Sequence, residues 1–516
     1  MNLYQNPKFY ALLCLLILAV QFVWLRFPGE RKEIDVRTGC ALDLMFCFCA
    51  AIAVGTLFHL YPGNHLYPVG DSAAFIYIGK QMTAGKVPYL DCFDHKGPLL
   101  YLIQYAGLSF SRGSTDGLWA MEVINMAVTL LVMTRLCTLA SDRRSSVWLA
   151  LLITFIACGW RIYEGGNFTE EYALPWISAA LLIFFRFFRT GSYRKRDIFL
   201  LGIAFSAVFL LRVNMIAVWA ACMPLVLFRF LKEKRIRDLG VCTGLFLSGA
   251  VAAALPILAY LIGRHALQSF IDCYFGFNLI YTDDVGLDAA MLLHLFRVFS
   301  LMILPGMIAL VISFAVRGKE PLRVLNLWCF AVSFLMLSMS GRDYPHYLIT
   351  LLPILAFGFT DLFDWTASLF TGNTGQEPGQ FMLILSCFAI LVGSLGYHVL
   401  TGKKVWPEAS TITWLKENTK KEDDVLILGN DAWSYLATDR TTENRFFYQT
   451  PPIETSADIQ NAFLKELRDH PSDVILDPTG GADQAEGWRG DVYKQLLQQG
   501  YSCRQVSSFS VYFRPQ

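Results

Sequence analysis

Asp71, Asp91, Asp94, His95 and Lys96 fall in one stretch, Gly70 to Leu99, soon after a long apolar run. A carboxylate at a membrane boundary has its pKa set by burial and neighbours, so it is suited to take a proton from a hydroxyl. Asp71 is placed to do this; the competing reading is a helix N-cap, because Asp is a preferred cap and 72–84 has a helical pattern. Lys96 stands just before Gly97-Pro98, a helix start, where an ammonium and a helix N-terminus together suit a phosphate. Asp94 and His95 offer two ligands to a divalent metal. Two ligands do not specify a site, and a solvated turn with Asp and Lys paired is the simpler reading.

Three further groups stand at the edges of apolar runs. Glu170 and Glu171, in Asn167-Phe168-Thr169-Glu170-Glu171-Tyr172, enter a span, which is costly unless the acids are solvated, paired or functional. A helix cap by Thr169 accounts for the same residues equally well. Asn167-Phe168-Thr169 is also a glycosylation sequon. Arg212, with Asn214, separates two apolar runs, and Arg342 stands in Gly341-Arg342-Asp343-Tyr344-Pro345-His346-Tyr347. A planar guanidinium suits a phosphate, while snorkelling is the other reading of Arg212.

These groups must be positioned by a membrane scaffold. The chain has 516 residues, 55% hydrophobic and 16% charged, with mean hydropathy +0.43; soluble domains carry about 25% charged residues. The formal net charge of +1 gives no field for nucleic acid, and no nucleic-acid partner is expected. The 13 cysteines show no CxxC or zinc spacing. About twelve apolar segments approach the length of a bilayer span: 9–27, 40–60, 118–140, 146–162, 172–190, 198–211, 213–230, 239–262, 293–316, 321–340, 346–368 and 379–399. The first reads as a signal-anchor. Every second loop is basic, through Arg31 and Lys32, Arg143 and Arg144, Arg189 to Arg196, Lys232 to Arg237, and Arg317 and Lys319. The positive-inside rule then puts the N-terminus, the 61–117 loop and the C-terminal tail outside the cell membrane. Lys96, Arg212 and Arg342 all map to that outer face.

Within the 61–117 loop, 72–84 and Leu99 to Phe110 read as short amphipathic helices able to lie along the membrane interface. A second outer loop, 263–292, holds Tyr274, Asn278, Tyr281, Asp283 and Asp284. Gly372 to Gly379 reads as a linker. The chain divides at about residue 400, with a transmembrane domain over 1–399 and a soluble α/β domain over 400–516. In the latter, Val425–Gly429, Val474–Asp477 and Ser507–Phe513 read as strands, and Ile459–Leu467 and Val492–Leu497 as helices.

At these residues the chain resembles the GT-C superfamily of membrane glycosyltransferases, most closely family 39 with its protein O-mannosyltransferases and the aminoarabinose transferases of lipid A. The resemblance is carried by Asp71, by Pro88 to Leu99 with its Lys-Gly-Pro-Leu element, by Glu170 and Glu171, and by Arg342 to Tyr347 followed by Leu351-Leu352-Pro353. It spans about residues 40–400. It implies a polytopic GT-C fold and inverting transfer of a hexosyl or pentosyl group from a polyprenyl-phosphate donor, on the outer face, to a glycan, lipid or protein acceptor. By the same match Asp71 is the general base. Lys96, assisted by Arg212 and Arg342, meets the donor phosphate. Asp91, Asp94, Glu170 and Glu171 contact the acceptor or supply a second acid, and Asp94, His95 and His346 become candidate ligands of a divalent metal. Two departures stand out: Gly97 where a second proline is common, and Ser72 after Asp71 where many members have Glu. A transporter or flippase of a lipid-linked or anionic solute is the alternative, and it would call for mid-span charges and broken helices in repeated halves.

Overall fold

The structure is a computed structural model that describes residues 7–24, 36–62, 70–159, 162–283, 289–318, 320–370, 409–479 and 487–515. The chain forms two compact units. One comprises Met1–Asn64, Asp116–Ile257 and Leu287–Lys403; the other comprises His65–Thr115, Leu258–Gly286 and Lys404–Gln516. The unit that holds the C-terminal residues thus also takes in the loops after the second and eighth apolar runs.

Among the described residues, seven helices are long and apolar enough to cross a membrane: Arg37–Gly55, Asp116–Cys137, Thr169–Thr190, Val213–Lys232, Ile236–Gly263, Pro321–Ser338 and Pro345–Thr366. At 1.5 Å per residue, a 20-residue helix covers about 30 Å, the thickness of a bilayer core. The expected span at 293–316 is instead two helices, Ala289–Met302 and Leu304–Arg317, bent by 90°. Pro305 explains the break: it has no N–H to continue the first helix, and it sits in the first turn of the second. The 198–230 region divides as expected, into Lys195–Phe209 and, after a 3-10 turn at Val213–Ile216, Ala217–Lys232. The 146–162 segment begins as Arg144–Thr154 and continues as a π-helical turn, Phe155–Gly159. The expected span at 379–399 and the Gly372 to Gly379 linker lie outside the described residues.

One end of this helical unit is laced by ion pairs that join the basic loops. Arg323 donates to both carboxylate oxygens of Asp361, at 2.9 and 2.6 Å, with both side chains almost fully buried. Arg317 pairs with Asp364 at 2.8 Å, and Arg143 reaches the same carboxylate at 3.6 Å. Asp43 accepts from Arg144 at 3.0 Å and from the Trp148 indole at 3.1 Å. Loops that alternate as basic along the sequence therefore meet at one end, and their arginines are anchored to buried or half-buried acids there.

The second unit is mixed. Strands β1 (Val425–Ile427), β2 (Val474–Asp477), β3 (Ser502–Val506) and β4 (Phe509–Phe513) form a sheet in the order β1-β2-β4-β3. β1 and β2 are parallel, with Val425 opposite Val474; β4 is antiparallel to both its neighbours. The expected closing strand is thus the second arm of a hairpin that turns at Ser507, whose φ is 53°. The Asp71–Thr83 helix does not show the one-sided burial of an interfacial helix: ten of its 13 residues are buried. It is covered by the Pro98–Phe110 helix, close against Gly79, where an added Cβ would fall 2.5 Å from Gln104 Cβ. Ala432–Thr438 from the C-terminal stretch also packs against it.

Removing one partner of the Arg323–Asp361 pair strands a buried charge. Arg323→Ala is expected to lower stability by about 3–5 kcal/mol, whereas the paired replacement Arg323→Met with Asp361→Leu costs much less. Thermal unfolding of the detergent-purified variants measures both.

Candidate active site

The loop between the Asp71–Thr83 and Pro98–Phe110 helices is folded by its own polar groups. Asp91 accepts from the Val87 N–H at 2.6 Å, and Tyr89, at φ 70°, donates its N–H to Cys92 O at 2.8 Å. The turn carries the chain to Lys96, whose carbonyl accepts from the Tyr89 hydroxyl at 2.7 Å. Gly97 is the cap residue and Pro98 opens the following helix, a position that needs no N–H. Lys96 is 6% exposed. Its Nζ lies 3.5 Å from Asp71 Oδ2 and 3.0 Å from His95 Nε2, and 5.7 Å from the centroid of the Phe75 ring. Asp71 is the first residue of its helix rather than its cap, which is Gly70. Its carboxylate faces Lys96 and is 42% exposed. Base and phosphate-binder, expected from separate arguments, are therefore neighbours.

Asp94 is buried at the back of this pair. Its Oδ1 accepts from the His95 N–H at 2.6 Å and from the Tyr448 hydroxyl at 2.9 Å. Burial pushes the Asp94 carboxyl up, while the Lys96 ammonium and those hydrogen bonds pull against it. Burial also keeps the Tyr448 phenol protonated, reinforced by the charges of Asp94 and Asp71, so Tyr448 is the donor. The Asn278 amide donates to His95 O at 2.9 Å, and the His95 ring packs on Phe277 and Tyr281, with centroids at 5.0 and 5.7 Å.

Tyr448 belongs to a C-terminal segment that grips the loop along its length. Thr442 donates its N–H to the Tyr77 hydroxyl at 3.1 Å, and Phe93 donates its N–H to Arg445 O at 2.8 Å. The Phe93 ring stacks on Phe446, centroids 5.2 Å apart. Lys80 pairs with Asp439, and Lys86 with Glu443.

The helical unit holds a polar group of its own. Arg212 donates to Glu170 Oε1 at 2.6 Å and to the Tyr347 hydroxyl, with its guanidinium 4.1 Å from the Tyr347 ring centroid. Glu170 also accepts from the Thr169 hydroxyl at 2.7 Å. Thr169 is therefore not the helix cap; that position is Phe168, without a side-chain bond. Glu171 accepts from the Asn167 N–H at 2.9 Å. Asn167 is fully buried with its Oδ1 held by Tyr172, so the sequon amide is closed to glycosylation in the folded chain. His346 bonds Glu164 at 2.7 Å and stacks on Phe168, centroids 4.4 Å apart. Arg342 is half-buried in the segment that leads to His346, its N–H 3.5 Å from Ser340 Oγ.

Of the candidate metal ligands, His95 Nε2 faces the Lys96 ammonium and Asp94 Oδ1 is taken by two donors. Among the described residues, no three His, Cys, Asp or Glu side chains are grouped to hold a metal.

Two contributors were not singled out in the sequence. Tyr448 lies in Arg445-Phe446-Phe447-Tyr448, whose signal was three successive aromatics in an otherwise polar stretch. Tyr347 stood beside the singled-out His346.

The fold is shared with solved structures of ArnT from Cupriavidus metallidurans. The structure bound to undecaprenyl phosphate matches with a TM-score of 0.57 at 13% identity, over 93% of this chain and 100% of ArnT. The apo structure matches with a TM-score of 0.55 at 14% identity over the same shares. The polytopic helical fold expected from the Asp71 and Lys-Gly-Pro-Leu elements is the fold these ArnT structures share. No curated protein matches the chain in sequence. A family model matches residues 43–362, more than half of the chain, and by that match the protein belongs to the competence-induced protein Ccs4 N-terminal domain family.

Proposed function

We propose that this protein transfers a sugar from a polyprenyl-phosphate-linked donor to an acceptor hydroxyl at the membrane surface, with inversion, using Asp71 and Lys96. The observation that carries the reading is the pair itself: a half-exposed carboxylate 3.5 Å from a buried ammonium at a helix N-terminus. The fold shared with an undecaprenyl-phosphate-bound ArnT supports it.

In the resting protein each member of the pair is the other's counter-ion. A donor phosphate is a stronger partner for the ammonium, and the helix N-terminus adds its positive end. As the phosphate draws Lys96, Asp71 loses its counter-charge and becomes more basic. The acceptor oxygen then attacks the anomeric carbon on the face opposite the phosphate. The new C–O bond forms as the bond to the phosphate oxygen breaks, Asp71 takes the hydroxyl proton, and Lys96 meets the charge left on the phosphate. The polyprenyl chain keeps the donor in the lipid. Tyr448 and Asp94 fix the backbone from which Lys96 projects. In the helical unit, Glu170 and Tyr347 hold Arg212 in one orientation, which suits a contact to an anionic group of donor or acceptor; Arg342 is proposed for the same kind of contact.

Undecaprenyl phosphate is the binding probe, and conversion of lipid-linked sugar in envelope extract the activity readout. Asp71→Asn is expected to lower transfer by about 10²–10⁴-fold while binding of the probe is retained. Retained transfer would remove Asp71 as the base. Lys96→Ala is expected to weaken probe binding by about 10–100-fold, the size of a charged hydrogen bond; unchanged affinity would contradict its role. Tyr448→Phe leaves the Asp94 carboxylate short of a donor and is expected to cost about 1–3 kcal/mol of stability, measured by thermal unfolding. Its transfer rate should fall more than that of Tyr493→Phe, a control in the same unit away from the loop.

A further inference from the structure

We infer that the helical unit carries a binding site for an anionic membrane phospholipid, independent of the Asp71–Lys96 centre. Four helices, Thr169–Thr190, Lys195–Phe209, Ala217–Lys232 and Ile236–Gly263, line an open apolar cleft of about 410 Å³. Its walls include Phe184, Leu201, Val226, Leu227, Cys242 and Phe246. This is within the usual size of a small-molecule pocket, roughly 300–1,000 Å³. A second, polar cavity of about 310 Å³ shares four of its wall residues: Ile183, Phe187, Tyr193 and Ile198. The polar cavity is lined by Arg186, Arg194, Thr190, Ser192 and one acid, Asp197.

The two cavities together have the chemistry of an amphiphile, with a slot for an acyl chain and a cationic mouth beside it. The charges around the mouth divide in two. Arg229 is matched by Glu233 at 2.8 Å, and Arg235 by Asp238 at 2.8 Å and the Gly191 carbonyl at 2.9 Å. These build the wall. Asp197 is approached by Arg196, at 3.7 Å. Arg186 and Arg194 are exposed, and among the described residues neither has a carboxylate within ion-pair distance. Two unmatched cations beside an apolar slot call for an anion with a tail. Two of the helices that line the slot, Lys195–Phe209 and Ile236–Gly263, touch backbone to backbone. A Cβ added at Gly202 would fall 2.0 Å from Phe246 O, and one at Gly249 2.1 Å from Phe199 O. Basic pockets between membrane helices are suited to anionic headgroups. The occupant is a bilayer phospholipid, with one acyl chain in the slot and its phosphate against Arg186 and Arg194.

Native mass spectrometry of the full-length protein tests this, titrating phosphatidylglycerol, phosphatidylcholine of the same acyl chains, and undecaprenyl phosphate. Phosphatidylglycerol should bind about tenfold more tightly than phosphatidylcholine. The preference should vanish in Arg186→Gln with Arg194→Gln, two exposed positions that carry no packing, and survive Lys96→Ala. Val226→Trp, which fills the slot, should weaken phosphatidylglycerol binding with both arginines intact; if that variant does not purify, Thr243→Met narrows the same slot. Equal binding of the two phospholipids, or a preference that survives the double arginine variant, overturns the inference. Displacement of phosphatidylglycerol by undecaprenyl phosphate through the same arginines overturns the phospholipid as occupant.

Discussion

A lysine ammonium that is nearly buried has to be kept charged, and the order of one compact unit follows from how that is done. Water is largely excluded from Lys96, so its charge depends on Asp71 in front and on Asp94 behind. Asp94 is in turn too buried to remain a carboxylate without donors. It obtains them from the next residue's backbone and from Tyr448, 354 positions away in sequence. The demand of one cation thus reaches from the loop to the C-terminal stretch. The same two segments are also joined by a row of contacts, Tyr77 to Thr442, Phe93 to Arg445 and Phe446, and Lys80 to Asp439. The C-terminal residues act here as the backing of the loop.

The helical unit meets the same constraint differently. Its charges gather at helix ends, where arginines are tied to acids, two of them buried and Asp364 half-buried: Asp43 to Arg144, Asp361 to Arg323, Asp364 to Arg317. A basic loop read from sequence as a topological signal is therefore also a structural clasp. Arg186 and Arg194 are left over from this pairing, and they face the pocket assigned to a lipid.

What the sequence makes legible is local. Apolar runs mark most of the long helices, Pro98 marks a helix start, and the alternation of strands and helices after residue 409 marks a small sheet. The Asp71 and Lys-Gly-Pro-Leu elements point to the fold that the ArnT structures share. What is missed depends on partners distant in sequence or on backbone geometry. The role of Tyr448 is invisible without Asp94 beside it. The hydropathy of 293–316 hides the break at Pro305, because one imino acid barely changes a window average. The helix-cap readings of Asp71 and Thr169 fail because each side chain finds a better partner, Lys96 and Glu170. The sequon fails because its asparagine is a core residue.

The most direct test asks whether a sugar–phosphate bond is broken. The purified protein in nanodiscs would be given envelope lipid extract from cells lacking it, which supplies both the lipid-linked donors and the acceptors, and the lipids followed by mass spectrometry. Sugar transfer predicts that a lipid-linked sugar disappears, that free polyprenyl phosphate appears in equal amount, and that the sugar mass is added to an acceptor. Lipid-linked sugars that remain intact in every fraction, as translocation alone would leave them, would contradict it.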